Sequence, residues 1–580
     1  MNRKGFLTLD ATTKVDNISP YQTPSLGHVT RKTNLTEQQL ASRFLAQATL
    51  GPTLNDINDV TNMGIEAWVD KQFGVSKTET LTYMWDVIDK VYRVEDVPLL
   101  SPTPFRWVWW QAVMTGKDLL RQRVAMALSE IFVISTRTDL LEDVSTAVAY
   151  FYDLLISHAF GNFRDLLYDV TLSPGMGYYL SHASNRKSDP ATNRYPDENY
   201  AREVMQLFSI GLFELNIDGT HKLDGNGNAI PTYDNLVISE FAKIFTGLTY
   251  QSSVLWEEEE IDPTTEEGFI YAEMAYDNGS KPMQMVENMH EPGEKRLLND
   301  FVVPAGQTGM KDINDAVDNL FNHPNVGPFI ARLLIQRLVK SNPSSGYIAR
   351  VATSFNDSGS GVRGDMKAVV KAILLDEEAR DPAYMNEPTH GMLREPFVRY
   401  VQLCRAFEAE NEGGENLFYN FADYQEEQLG QYPFASPSVF NFFSPDFKPL
   451  GPLEQAGINA PEFQIMTSVS AVKLANFWED AVFEGDLMSM PEYTDEPEEK
   501  MPGISEVVLD LTHYEAMEGN VNALIDRLDL LLTYGSMSNE MRNLMTSTLT
   551  SLYNQEEEWE EVIRFAIVLF MNCPEYAILK

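Results

Sequence analysis

Cysteine is almost missing from this chain: Cys404 and Cys573 are the only two in 580 residues. That excludes a disulfide-built scaffold and any cysteine-rich zinc site, and leaves two thiols that could pair or stay reduced. Basic residues are scarce, 44 against 85 acids, giving a formal charge of -41. A chain so acidic repels a phosphate backbone, and no basic patch interrupts it, so no nucleic-acid partner is expected. Long apolar runs are also missing. None nears the roughly 18 residues that cross a bilayer, so no transmembrane segment is expected. The N-terminus, MNRKGFLTLDATTKVDN, has Arg3 and Lys4 but no apolar h-region. As written the chain reads as cytoplasmic, or as periplasmic or secreted if a leader is missing from it.

Several catalytic signatures are absent as well. The 8 histidines are scattered, with no two at His-x-x-x-His spacing. There is no Gly-x-Ser-x-Gly elbow and no Walker sequence, and the Gly-x-Gly-x-x-Gly match at 359–364 follows helical pattern instead of a strand, so it reads as a helix-to-helix turn. Asp224, Asn226 and Asn228 suggest a calcium loop, but Ala229 stands where the turn needs glycine and Asn235 where a glutamate should close it, so a hairpin tip is expected. The acid runs Trp256–Glu260, Asp495–Glu499 and Glu556–Glu561 read as solvated surface.

What is present is helical periodicity in at least a dozen segments, which predicts a mainly α fold: a large multi-helix body with a small β-hairpin and mixed insertion and a C-terminal helical subdomain. Thr36 with Gln39 and Thr53 with Asp56 form helix start signals, and Gly64 marks a helix end. Further helices are predicted at 119–135, 145–159, 163–171, 174–182, 196–212, 234–247, 311–340, 345–355, 364–376, 394–408, 462–484, 520–533, 538–553 and 556–571. The expected organisation is an extended arm over 1–35, a helical body over 36–250 and an acidic mixed insertion over 251–310. A second helical part follows over 311–485, with an aromatic loop from Tyr432 to Phe447 that should be pinned into the body or line a pocket. An acidic linker over 486–503 then leads to the helical subdomain at 504–580.

Two places concentrate polar chemistry. The segment Leu119–Ser135 is apolar around most of its circumference yet carries Arg123 and Glu130, seven residues apart on one side. Buried charges need partners, so the two should join a polar network, either an internal ion-pair clamp or a support for a neighbouring site. The denser place is the run from His182 to Phe208, a polar loop that feeds a helix. Pro196 suits the first helical position, with Asp197 and Glu198 in the first turn. Tyr200, Val204, Leu207, Phe208 and Leu212 then form an apolar stripe beside a polar one of Asn199, Arg202, Glu203 and Gln206.

Six stretches, SRFLAQATLGPT (42–53), LRQRVAMALSEIFVIS (120–135), ISHAFGNFRDLLYDVTLSPGMGYYLSH (156–182), NRKSDPATNRYPDENYAREVMQLFSIGL (185–212), FNHPNVGPFIARLLIQRLV (321–339) and NFFSPDFKPLGPLEQAGINAPEFQ (441–464), closely resemble the bacterial family catalogued as domain of unknown function 1800. The resemblance runs from about residue 36 to the C-terminus. It implies a mostly helical fold, frequent export, and genes that neighbour sulfatase-like or phosphatase-like proteins; it implies no agreed reaction.

The residues therefore carry the functional reading. Glu198 and Glu203, with Arg202 beside them, could supply acid–base chemistry and anion binding, while Asn185, Arg186, Lys187 and Asn199 orient a polar or anionic substrate. His182, Asp189 and Asp197 could hold a divalent metal if the fold gathers them; His158 and His290 are further histidines to watch, the former capping a helix end. The alternative is a non-catalytic scaffold or assembly partner of a sulfatase-like protein. A deep pocket lined by these side chains would favour the enzyme, a self-satisfied network the scaffold.

Overall fold

Both helix starts read in the sequence form as capping boxes. Thr36 Oγ1 accepts from Gln39 N at 3.3 Å while Gln39 Oε1 accepts from Thr36 N at 3.0 Å, and Thr53 and Asp56 repeat the exchange at 3.1 and 2.9 Å. The helices Glu37–Ala48 and Leu54–Met63 that follow pack on each other. The computed structural model describes residues 30–87, 103–252, 262–411, 428–483, 507–555 and 557–580. The acid runs at 257–260 and 495–499, the linker at 486–503, Glu556 and residues 1–29 of the arm lie outside these.

The fold is mainly α. Ser145–His158, apolar almost all round, takes a central position against Leu119–Ser129, Thr80–Val87, Phe163–Leu172 and Thr103–Thr115. Among the described residues, strands occur only as four antiparallel pairs of two residues each. Two of these pairs draw on the mixed segment before residue 310: Gln284–Met285 pairs with Leu248–Thr249, and Lys295–Arg296 with Val302–Val303. A third joins Met392–Leu393 to Ile578–Leu579, so the end of the chain returns to its middle. One continuous cluster of buried side chains runs from Ala41 to Tyr576. Cys404 and Cys573 are both buried and free. Among the described residues no helix is long and apolar enough to cross a membrane.

Four expected helices differ by more than three residues at an end or are split. The one expected over 119–135 ends at Ser129, where the Ile131 N–H tightens onto the Leu128 carbonyl three residues back. The helix expected over 196–212 spans only Asn199–Gln206. Asn185 takes both backbone groups of Asp197, accepting from its N–H at 3.0 Å and donating to its carbonyl at 3.2 Å, which holds Pro196 and Asp197 out of the helix. At the other end Ile210 and Gly211 both donate to the Met205 carbonyl, and Gly211 turns the chain at φ +70°. The helix expected over 311–340 is two, Gly309–Phe321 and Val326–Leu338, broken where Pro324 lacks a donor. Within that break Asn325 is fully buried and bonds the carbonyls of Ile210 and Phe213 at 2.8 Å each and the Leu215 N–H at 2.9 Å. The helix expected over 462–484 starts as a tight turn at Pro461–Gln464 and resumes as Ser468–Phe483.

Other local readings match the structure. Asp224 Oδ1 accepts from the N–H groups of Asn226 and Asn228, closing a hairpin tip. The 359–364 stretch turns between the helices Ser345–Asn356 and Met366–Leu374. In the aromatic loop, Phe434 meets Phe105, Tyr152 and Phe151 edge-on at 5.3, 5.6 and 6.1 Å, which pins the loop to the central helices.

Candidate active site at Glu130 and Arg337

Helix Val326–Leu338 packs across Leu119–Ser129, and that crossing joins two residues that lie at helix ends. Glu130 caps the C-terminus of one; Arg337 occupies the last turn of the other. Both side chains are buried, and Arg337 Nε lies 2.9 Å from Glu130 Oε2. The contact is an ion pair off the N–H direction, because neither atom finds an aligned hydrogen-bond partner. The Arg337 guanidinium lies over the Phe443 ring, 4.6 Å from its centre. Arg123, also buried, donates through Nη2 to the Arg337 carbonyl.

Glu130 and Arg337 form the polar floor of a cavity of about 350 Å³. Leu207, Ile210, Phe329, Leu333, Val439 and Phe440 make its apolar walls, and an ion pair of Arg332 and Asp446 stands at its rim. Asn325 fixes one wall, since its three hydrogen bonds hold residues 210–215 in place. On its other side Glu130 borders a void of about 20 Å³ beside Gln431, Tyr432 and Asn441, room for one water.

The electrostatics favour a proton on this floor. Burial, then the nearby Glu395 carboxyl, push Glu130 well above the ordinary carboxylate range, against the pull of Arg337 and Arg123. Glu395, buried, accepts from Gln431 Nε2. No protein donor is aimed at either Glu130 oxygen. Behind them Glu462 is held by Ser341 Oγ at 3.3 Å, and burial pushes it up to about 7. Arg337 Nη1, Glu462 Oε1, Gln336 Oε1 and Gln431 Oε1 are buried with no protein partner.

Residues 43–578 match the family described as Protein of unknown function (DUF1800). The chain belongs to the DUF1800 family. No curated protein and no solved structure matches it. All the cavity residues of this DUF1800 chain lie inside the matched span.

The expected loop site is arranged differently. His182 is buried, its Nε2 on the Thr171 carbonyl at 2.9 Å and its ring stacked on Tyr200 at 3.9 Å; burial pushes it down to about 4. Asp189 closes its own turn through Ala191 N and Thr192 Oγ1, and Asp197 accepts from Asn199 N. These three side chains do not converge, and among the described residues no three His, Cys, Asp or Glu gather as a metal site. Asn185 serves Asp197, the Lys187 backbone bonds to Met289 and Arg194, and Asn199 Nδ2 reaches Ser181 Oγ at 3.3 Å. Arg186 lines a shallow surface depression with Arg194 and Tyr195. Glu198 is bound by Ser239 Oγ at 2.6 Å and Arg202 at 3.3 Å. Glu203 is buried, with Oε2 unpartnered, and burial raises it against the pull of Arg202. Gln206, three residues on, lines the cavity.

The remaining histidine candidates are tied up. His158 pairs with Asp169 at 2.6 Å; His290 sits between the Thr246 carbonyl at 2.8 Å and Asp312 at 3.0 Å, where Lys295 also ends. Arg123 and Glu130 do share a network, but the ion-pair partner of Glu130 is Arg337. Sequence reading missed Arg337, Glu395, Glu462 and Asn325. For Arg337 the signal was there: an arginine in an apolar helix, the same signal that singled out Arg123 and Glu130.

Proposed function

We propose that the chain is an acid–base enzyme acting on a small molecule held in the cavity, with Glu130 as proton donor. One observation carries this: a buried carboxyl raised well above its ordinary range, ion-paired with Arg337 but with no hydrogen-bond donor aimed at either oxygen, on a residue that lines a cavity. A carboxyl whose hold on its proton is strengthened by burial can donate it to a leaving or carbonyl oxygen. In this reading Arg337, the ion-pair partner of Glu130, stabilises the negative charge left on that carboxyl once its proton has gone. This keeps the carboxylate chemistry expected from the sequence and moves its centre from Glu198 and Glu203 to Glu130. The 182–206 segment then supports the wall, through Gln206 and the bonds that shape its helix.

The test is incubation of the purified protein with a metabolite extract, followed by mass spectrometry, beside Glu130→Gln. We expect the wild-type protein to convert at least one component and the variant to lose roughly 100-fold or more of that rate, the usual scale for a general acid. Infrared spectra at pH 7 should show a protonated-carboxyl band that the variant lacks. Equal conversion by both proteins, or no such band, would remove the reading.

A second reading, a non-catalytic assembly partner of a sulfatase-like protein, is favoured by the 182–197 loop, whose polar groups largely satisfy one another while Tyr195 stays exposed. Co-purification of such a partner with wild-type protein but not with Tyr195→Ala would support it; equal recovery would count against it.

A further inference from the structure

We infer that His323 is a pH-operated latch on the cavity wall: the neutral ring holds Asn325 where it fastens residues 210–215, and protonation of the ring releases that wall. The latch depends on the wall alone and holds whether or not Glu130 acts as a proton donor.

The break between Gly309–Phe321 and Val326–Leu338 sets His323, Pro324 and Asn325 in consecutive positions. His323 is buried, and its Nδ1 accepts a hydrogen bond from the Asn325 N–H at 3.2 Å. A backbone N–H can only donate, so Nδ1 carries no proton. The single proton of the ring is therefore on Nε2, which lies 3.5 Å from Glu214 Oε1. A second proton has one place to go, Nδ1, where it would face the Asn325 N–H donor to donor. That bond is then lost, and the ring or the backbone at 325 must move. The imidazolium is at the same time drawn to Glu214, which it must share with Lys222 Nζ at 3.0 Å.

Asn325 turns this local event into a larger one. Its side chain holds the Ile210 and Phe213 carbonyls and the Leu215 N–H. Those residues lead into the hairpin whose Leu212, Phe213, Leu215, Gly219 and His221 line the cavity. The Asn325 carbonyl also accepts from Phe329 N at 2.9 Å, in the first turn of the helix that supplies another wall. Release at Asn325 thus reaches both walls. The charged groups that face His323 are Glu214 and Lys222 from the hairpin and Arg363 from the turn before Met366–Leu374. Arg363 Nη2 donates to the His323 carbonyl at 3.0 Å. Burial holds the ring below the ordinary histidine range; Glu214 works against that, and Lys222 and Arg363 add to it. The ring is neutral at pH 7 and the wall fastened, and release belongs to more acidic conditions.

The experiment is hydrogen–deuterium exchange of the full chain at pH steps from 7.5 to 4.5. Each rate is corrected for the intrinsic pH dependence of amide exchange, with Glu37–Ala48 as internal reference. We expect peptides covering 210–216 to lose protection roughly tenfold as pH falls, the scale of a lost buried hydrogen bond, while the reference stays level. His323→Asn offers Asn325 N an acceptor that takes no proton, and should keep that protection level throughout. Glu214→Gln removes the charge that draws the imidazolium and should move the midpoint to lower pH, which a merely packing residue would not do. This second variant keeps the test decisive if His323→Asn fails to fold. Protection that stays level in the wild type down to pH 4.5, or that falls equally in His323→Asn, would overturn the inference. So would an unmoved midpoint in Glu214→Gln. None of these outcomes bears on Glu130, whose test is the conversion assay.

Discussion

At the scale of single residues, the molecule holds several groups whose protons differ in affinity between folded and unfolded chains. Glu462 binds its proton more tightly when folded, being pushed up to about 7. The folded chain therefore carries the extra proton between the ordinary glutamate range and pH 7, and folding stability falls as pH rises through that window. His182 has the opposite sign: pushed down to about 4, it makes stability fall as pH drops from about 6.5 towards 4. Glu462→Gln should remove the first slope, stabilising the protein above pH 7 by up to about 3 kcal/mol, at about 1.4 kcal/mol per tenfold change in proton affinity. Urea unfolding of both proteins at pH 5 and pH 8 would read it; parallel changes in the two would refute it. Glu462 itself was not legible in the sequence. It lies in a Pro-Glu-Phe-Gln turn that looks solvent-facing, and only distant segments, Ser341 among them, bury it. Arg123 and Glu130 were legible because a charge on an apolar helix is anomalous wherever the helix goes.

At the scale of elements, local signals were read where local bonds decide the outcome. Thr36 and Thr53 start helices through side chains three residues away, and both starts stand where the sequence put them. The helix after Pro196 was misread because the groups that delay it, on Asn185, lie 12 residues upstream. The break before Val326 was missed because an apolar period continues across it, while Asn325 bonds to residues more than a hundred positions earlier. Gly211 closes the same region. A Cβ there would lie 2.8 Å from the Phe329 ring on a backbone at φ +70°. Gly211→Ala should cost roughly 1–2 kcal/mol from the backbone alone, with a further loss from displacing Phe329 into the cavity. Thermal unfolding would measure the cost; an unchanged melting temperature would contradict the expectation.

At the scale of the whole molecule, the continuous core from Ala41 to Tyr576 ties distant parts of the chain into one packing unit. The C-terminal helix Trp559–Asn572 packs on Ser468–Phe483, and the strand after it pairs with residues 392–393. Differential scanning calorimetry should therefore show one cooperative transition. Two separated transitions, one assignable to residues beyond 504, would show that the C-terminal helices unfold on their own. The fold class was legible from periodicity because helical spacing is a local property. The site was legible only in part, since it joins Glu130 to Arg337 with Glu395 and Glu462 nearby, and no pattern along a single sequence reports which far-apart charges meet.

The buried arginines near the start of the described chain have a consequence for how the protein is made. Arg43 donates to the carbonyl of Lys580, 537 residues later, and Arg31 to that of Ile578, 547 residues later. At synthesis rates of roughly 5–20 residues per second, those partners leave the ribosome roughly half a minute to two minutes after the arginines do. Through that interval the apolar face of Glu37–Ala48 is covered only in part, by Leu54–Met63 and by Trp68 against Phe44, until the late helix Val521–Leu532 reaches it. The helix is thus locked long after it has emerged, and a holding chaperone has its natural target there.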